Sequence, residues 1–399
     1  MQLECVLGAN SESTMIHKPE PWLDDQIYLD YATTSYPKSF VALDSFLRAI
    51  SSPPAARHHV KNTRLQEFRD RIGKVLTVSS RHIFFTSGAT IGLNQVIQGF
   101  AEDGFRIAFD NRSHNAVSRT CFSLKRRCEC ILAKIYDAED NFLEVELAEI
   151  LSRSPNLLCL THVSNVTGSI YPVEEIVDTV RRLSPSTSVL IDASQSAGAL
   201  SLARLYKADF IVFPSHKHLH SVAGAAVVVA KKPLRAVIFG GTGANSAASE
   251  MLDEDSLFVE VGTMNLPAIQ AMVDSLEYAE AEFSRHRQLE TDLTTQFIEG
   301  VEAIEGLTLI GRRGIDRRIG IVGIKPEFGS PEFQWMPFLK SQNIHIRGGL
   351  HCSPLHHQQL DLLETGTLRF SFGWNSTHEQ IEIALQALAE FSGVAGALR

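Results

Sequence analysis

The sequence predicts an α/β fold built on a mostly parallel sheet covered by helices, and three observations carry that reading. Short apolar runs recur at Leu157-Leu158-Cys159-Leu160, Val189-Leu190-Ile191 and Phe210-Ile211-Val212-Phe213. None alternates with polar residues, as expected of strands buried on both faces. Each run ends in a polar loop, T-H-V-S-N, D-A-S-Q and P-S-H-K in turn, where open α/β sheets bind ligands. Helical patterns lie between the runs, such as Val173 to Leu183 with Ile176, Val177 and Val180 on one face.

From Pro267 the texture changes. Ile269, Met272, Val273, Leu276, Ala279 and Phe283 recur at helical spacing and predict one long helix leaving the sheet. Near the end, Thr377-His378-Glu379-Gln380 reads as a capping box, followed by Ile381, Leu385, Leu388 and Phe391 along one helix face. The expected organisation is a large domain over 36–268. A smaller α+β domain is formed by both chain ends, 1–35 and 269–399.

Composition narrows the function. The 399 residues are 44% apolar and 21% charged, ordinary for a globular protein. A formal net charge of −9 argues against nucleic acid or an anionic membrane as partner, since phosphate-binding surfaces need excess Lys and Arg. The first twenty residues lack the basic and apolar segments of a secretory signal, and the best apolar stretch, around Val222 to Ala230, is too short to span a bilayer. A cytoplasmic location is expected. The six cysteines, Cys5, Cys121, Cys128, Cys130, Cys159 and Cys352, read as free thiols. Cys121, Cys128 and Cys130 fit no zinc spacing, so no metal is expected.

Lys217, in F-P-S-H-K-H-L-H, directly follows an apolar strand. A lysine there either rests its stem on the strand and sends its ammonium to water, or is desolvated and loses its proton readily enough to form a Schiff base. A Schiff-base cofactor with a phosphate and a pyridine ring needs three further things. F-F-T-S-G-A-T-I-G-L-N, a strand then Ser87, Gly88 and Thr90 then a helical run, offers donors for a phosphate. Asp192, at the end of V-L-I-D, offers an acid for the pyridine nitrogen, although Asp after a strand also serves as a helix cap. His114, Asn165 and Gln195 offer a stacking face and a donor to the phenolic oxygen, and equally suit ordinary turns.

Together these stretches resemble the class V aminotransferase family, and within it the pyridoxal-phosphate (PLP) cysteine desulfurases of the group that includes selenocysteine lyases. The resemblance runs from Tyr28 to about Leu388. It rests on Y-L-D-Y-A-T-T-S-Y-P-K, T-S-G-A-T-I-G-L-N, S-H-N-A-V, H-V-S-N-V-T-G, V-L-I-D-A-S-Q-S-A-G, S-H-K, G-G-T-G, G-T-M-N and R-G-G-L-H-C-S-P-L-H-H. It implies fold type I of the PLP-dependent transferases. Lys217 would hold PLP and move protons, Asp192 would pair with the pyridine nitrogen, and Gln195 would contact the phenolic oxygen. Asn165 would lie near that oxygen and the substrate carboxylate, and His114 would stack on the ring. Gly88, Ala89, Thr90, Ser215 and His216 would surround the phosphate, and Thr263 would reach the partner subunit's phosphate in a homodimer. Arg369 would clamp the substrate carboxylate, with Arg347 nearby.

The resemblance also implies the reaction. A cysteine five residues after an arginine, here Cys352 after Arg347, is the family's sulfur acceptor. L-cysteine would yield L-alanine, with the sulfur carried as a persulfide on Cys352 to an acceptor. From the residues alone, Arg347, His351, His356 and His357 are placed to favour the Cys352 thiolate. The sequence departs from the family pattern at Pro214, at His218-Leu219-His220-Ser221, where Gly and Pro are usual, and at Tyr31, where Asn is common. The alternative readings are another class V enzyme (a selenocysteine lyase, C–S lyase or epimerase) and a non-catalytic scaffold. Lys217, Asp192 and Arg369 occurring together argue against the scaffold.

Overall fold

The computed structural model describes residues 26–51, 63–241, 247, 249, 251 and 260–397. The first twenty residues, Cys5 and the end of G-G-T-G lie outside the described residues. The centre is a seven-stranded sheet in the spatial order Ile83–Thr86, Ala226–Ala230, Phe210–Pro214, Ser188–Asp192, Leu157–Thr161, Arg106–Asp110, Glu129–Ala133. Ala226–Ala230 runs antiparallel to both neighbours and the other pairings are parallel.

The three apolar runs are inner strands with every residue buried. Their lack of alternation has a direct cause. Leu158, Leu160, Val189, Ile191, Ile211 and Phe213 enter the apolar cluster on one face of the sheet. Leu157, Cys159, Leu190, Phe210 and Val212 enter the cluster on the other. Both faces are core, so neither parity of a strand needs polar residues. Helix Val173–Leu183 buries Val173, Ile176, Val177 and Val180, with Glu174 and Glu175 in its first turn and Arg181 and Arg182 in its last. That charge order complements the helix dipole.

The long helix expected after Pro267 is two helices, Leu266–Ala281 and Phe283–Glu302, broken at Glu282 (φ −98°, ψ 11°). Ile269, Met272, Val273, Leu276 and Ala279 pack onto the sheet, whereas Phe283 opens the second helix. A one-residue break hardly disturbs a 3.6-residue apolar stripe, so periodicity did not register it.

The C-terminal region holds a four-stranded antiparallel sheet in the order Arg347–Gly349, Thr367–Ser371, Ile321–Pro326, Leu307–Leu309. Helix His378–Ala397 packs on it and starts at the expected capping box: Gln380 N donates to Thr377 Oγ1 and Thr377 N to Gln380 Oε1, both at 3.2 Å. The strand Ile27–Tyr28 pairs in parallel with Ile344–His345. Ile27 and Leu29 join Phe297, Phe370 and Leu388 in one apolar cluster. This pairing sets Asp30 beside Ser371, two residues from Arg369.

Candidate active site

The carboxyl ends of the parallel strands meet at a cavity of about 170 Å³. One wall is the start of helix Ala89–Phe100, where Gly88, Ala89 and Thr90 line the space. That helix lies close on the sheet: a Cβ at Gly92 would stand 2.8 Å from Val228 Cγ2 and 3.0 Å from Val212 Cγ1. Its first-turn N–H groups have no partners within the helix, which makes this end a site for an anion.

His114 forms a second wall as the N-cap of helix Asn115–Ser123. Its Nδ1 accepts from Ala116 N at 3.0 Å, so the neutral ring carries its proton on Nε2. Desolvation, reinforced by the Lys217 charge and opposed by Asp192, lowers His114 to about 4, leaving an uncharged aromatic face. The turn before it is held by Asp110, a buried carboxylate that sequence reading did not single out. Asp110 accepts from Arg112 N at 3.0 Å, Ser113 Oγ at 3.0 Å, Thr161 Oγ1 at 3.0 Å and Thr161 N. The signal was present, since R-I-A-F-D ends an apolar run in an acid just as V-L-I-D does.

Asp192, Gln195, Asn165, His216 and Lys217 complete the wall. Asp192 is buried and accepts from Ser194 N at 3.0 Å. Lys217 is half-buried; desolvation lowers it to about 8, with Asp192 working in the opposite direction. The carbonyl of His216, one bond before Lys217, accepts from Ser35 N (2.8 Å), Thr34 Oγ1 (3.0 Å), Ser35 Oγ (3.0 Å) and Lys38 Nζ (3.2 Å). The lysine therefore projects from an anchored turn.

Ser215 stands apart from this set. Its hydroxyl donates to the Val222 carbonyl at 2.5 Å, and it does not line the cavity. Thr263 and Arg347 are exposed, and Arg347 sits opposite Arg369 in the antiparallel register. Arg369 is buried and pairs with Asp30 at 2.8 Å, also donating to Thr33 Oγ1 at 2.7 Å and to the Asn165 carbonyl at 3.0 Å. Its Nε is buried without a partner. Nothing in Y-L-D-Y marks Asp30 for this role, because its partner lies 339 residues away.

Cys352 is exposed, in a turn between strand Arg347–Gly349 and helix Pro354–Gln359. His351 and Cys352 both have left-handed backbones, φ +50° and +56°. The turn is held by Asn165, whose Nδ2 donates to the His351 carbonyl while Oδ1 accepts from Ser353 Oγ, both at 2.7 Å. The Cys352 carbonyl accepts from Asn115 N at 2.8 Å. One cavity residue thus grips both sides of the exposed thiol. The expected charge support from histidines is corrected: burial lowers His351, His356 and His357, the first two well below the ordinary value. They remain neutral and give the thiolate no cation.

Two of the departures from the family pattern meet in space. Tyr31 lies 5.2 Å from the His220 ring, which stacks on Trp374 at 4.1 Å and 8°. Trp374 also stacks on His286 at 4.2 Å and 10° and meets the Tyr278 ring edge-on at 5.7 Å. A Cβ at Gly373 would stand 2.3 Å from the Tyr31 ring, so the bulk at position 31 requires glycine there.

An α/β sheet with a lysine, a carboxylate, an imidazole face and a helix start around one cavity is the arrangement of a PLP enzyme, and the residues fit that cofactor. The chain belongs to the aminotransferase class-V family, whose model matches residues 27–384; enzymes of this family depend on PLP. Among individual relatives, it is 24% identical over 395 residues to a probable cysteine desulfurase of Methanothermobacter thermautotrophicus, covering 95% of this chain and 98% of that one. It is 25% identical over 390 residues to the cysteine desulfurase IscS of Vibrio vulnificus, with 91% of each covered. The fold matches the apo structure of a cysteine desulfurase from Thermococcus onnurineus NA1 with a TM-score of 0.83, at 22% identity over 93% of this chain and 95% of that one. Among the described residues, no helix is long and apolar enough to cross a membrane, and no three or more His, Cys, Asp or Glu side chains are grouped so as to hold a metal ion.

Proposed function

We propose that this protein is a PLP-dependent cysteine desulfurase. The observation that carries the reading is the joining of two parts: Asn165 lines the cavity that holds Lys217 and Asp192, and the same side chain grips the turn bearing the exposed Cys352. The names of the relatives support the same activity.

Lys217 holds the cofactor and carries protons to and from the substrate α-carbon; its lowered affinity for protons suits that exchange. Asp192 keeps the pyridine nitrogen protonated, His114 offers its neutral face to the ring, and the Gly88–Thr90 helix start with His216 receives the phosphate. When bound, PLP supplies an electron sink for the substrate carbon. Arg369 receives the substrate carboxylate in the fork geometry guanidinium provides, oriented by Asp30 and Thr33, with Arg347 at the entrance. The Cys352 thiolate attacks the sulfur of L-cysteine, the C–S bond breaks, and the carbon takes a proton to become L-alanine. The sulfur remains on Cys352 as a persulfide until an acceptor removes it.

The reading extends to a cytoplasmic homodimer in which Thr263 serves the neighbouring subunit's phosphate. It also divides the chain into a cofactor unit over 36–268 and a second unit built from both ends.

The deciding experiment incubates the protein with L-cysteine and a reductant and assays sulfide and alanine together. Cys352→Ser should bind PLP and cysteine normally while sulfide release falls by a factor on the order of a hundred. Sulfide released by that variant at the wild-type rate would mark a β-elimination lyase instead.

A further inference from the structure

Of the four residues that replace the family's usual sequence after Lys217, His218 has a side chain within hydrogen-bond distance of a cavity side chain. Its ring is 3% exposed, and Nε2 lies 3.2 Å from Gln195 Oε1. The proton in this contact can be located from its far end. The Gln195 amide also meets the main-chain carbonyl of Ala32 at 3.0 Å. A carbonyl oxygen only accepts, so the amide atom facing Ala32 is the nitrogen. The amide oxygen then faces His218 and also only accepts, so His218 carries its proton on Nε2. Burial, with the Lys217 charge acting in the same direction, lowers His218 to about 3, so the ring is neutral and this is its single N–H. Two of the groups around the amide are now assigned, and one amide hydrogen of Gln195 remains at the cavity wall.

The geometry points to His218 as the residue that decides which end of the Gln195 amide the cofactor meets: by pinning the oxygen away from the cavity, it leaves an N–H for the phenolic oxygen of PLP. This rests on the PLP reading above. Ala32 alone fixes one hydrogen but leaves the amide oxygen buried without a donor, a costly state that the side chain relieves by swinging the oxygen toward the cavity. There it would confront an oxygen bearing negative charge. His218 touches neither cofactor nor substrate and is a positioning residue.

The test uses the visible absorbance band of PLP bound to Lys217, followed against pH, together with the rate at which PLP is lost. A donor to the phenolic oxygen draws off part of its charge and weakens its hold on the proton at the Lys217 nitrogen. His218→Leu should therefore raise the pH midpoint of the band by about one unit and weaken PLP binding about tenfold. His218→Gln should restore both, since its terminal amide nitrogen can donate from near the Nε2 position. Gln195→Met should reproduce the shift, and adding His218→Leu to it should change nothing further, because the two residues act as one unit. If His218→Leu does not fold, His218→Asn, whose amide falls short of Gln195 Oε1, should show the same displaced midpoint. An unshifted midpoint and unchanged PLP affinity in the Leu or Asn variant, or additive effects in the double variant, would overturn the assignment. A wild-type protein with no visible band would instead sink the PLP reading itself.

Discussion

Asn165→Ala is the substitution that most directly separates a docked thiol from a merely exposed one. It deletes two buried hydrogen bonds of 2.7 Å, to the His351 carbonyl and from Ser353 Oγ. Each such bond contributes about 1 kcal/mol net, and each partner left unsatisfied adds to the loss, so the clamp amounts to about 2–4 kcal/mol. Against it stand the left-handed backbones of His351 and Cys352, which cost about 1–3 kcal/mol each. The opposing terms are of similar size, so removing the clamp should let the turn open. At about 1.4 kcal/mol per tenfold, the opening equilibrium rises by a factor on the order of thirty or more. The reporter is the Asn115 amide, which donates to the Cys352 carbonyl. Its hydrogen exchange should accelerate by that factor, and Cys352 should alkylate faster in the absence of cofactor. Ser353→Ala, which removes one bond and leaves Asn165 in place, should give a smaller acceleration. Sulfide release should drop about tenfold or more in Asn165→Ala while the Lys217 band survives. Unchanged exchange at Asn115 in both variants would refute the clamp.

Three further outcomes are expected. Desolvation holds Lys217 near 8, below its ordinary value of 10.5, so PLP capture by the cofactor-free protein should rise with a midpoint near pH 8. The unfolded chain binds more protons between those values, so this lysine makes stability rise with pH there; Lys217→Met should flatten both profiles, and capture following pH 10.5 would contradict the assignment. Asp140 is buried against Arg112 at 2.6 Å and accepts from Thr167 Oγ1 at 2.6 Å and Tyr171 OH at 2.9 Å. Against the cost of burial, His356 at 3.6 Å, then Arg112 and the Thr167 and Ser169 hydroxyls, lower its carboxyl to about 2. Its contribution is present above the ordinary carboxyl value and lost as pH falls toward 2, and Asp140→Ala should destabilise the protein by about 3–5 kcal/mol in denaturant titration, with a change under 1 kcal/mol counting against it. Finally, mixing Lys217→Ala with Thr263→Ala subunits should restore activity in hybrid dimers, whereas a fully active monomer in sedimentation would defeat the shared-site proposal.

The gathering of Lys217, Asp192, Asn165, Gly88 and Thr90 at one cavity was legible in the sequence because each residue announces itself locally. Lys217, Asp192 and Asn165 follow or end apolar runs, and a parallel sheet brings all such ends to one edge whatever the details of packing. Gly88 and Thr90 sit at a strand-to-helix junction readable from periodicity, and the Thr377–Gln380 capping box needs only four consecutive residues. That the Ser215 hydroxyl turns to the Val222 carbonyl was not legible, because a strand end specifies where a residue is and leaves open its hydrogen-bond partner. The histidines around Cys352 were misjudged for a related reason: adjacency in sequence says nothing about burial, and burial is what strips their charge.

What sequence alone determined was therefore the fold class, the strand ends and the residue types gathered there, since these depend on apolar periodicity and local chain geometry. Only the tertiary structure decided the long-range partners: Asp30 for Arg369, Asn165 for the Cys352 turn, and His218 for Gln195. Hydrogen bonds and ion pairs act over about 3 Å, and no regularity along the chain encodes which of two residues, 23 or 339 positions apart, will come within that reach.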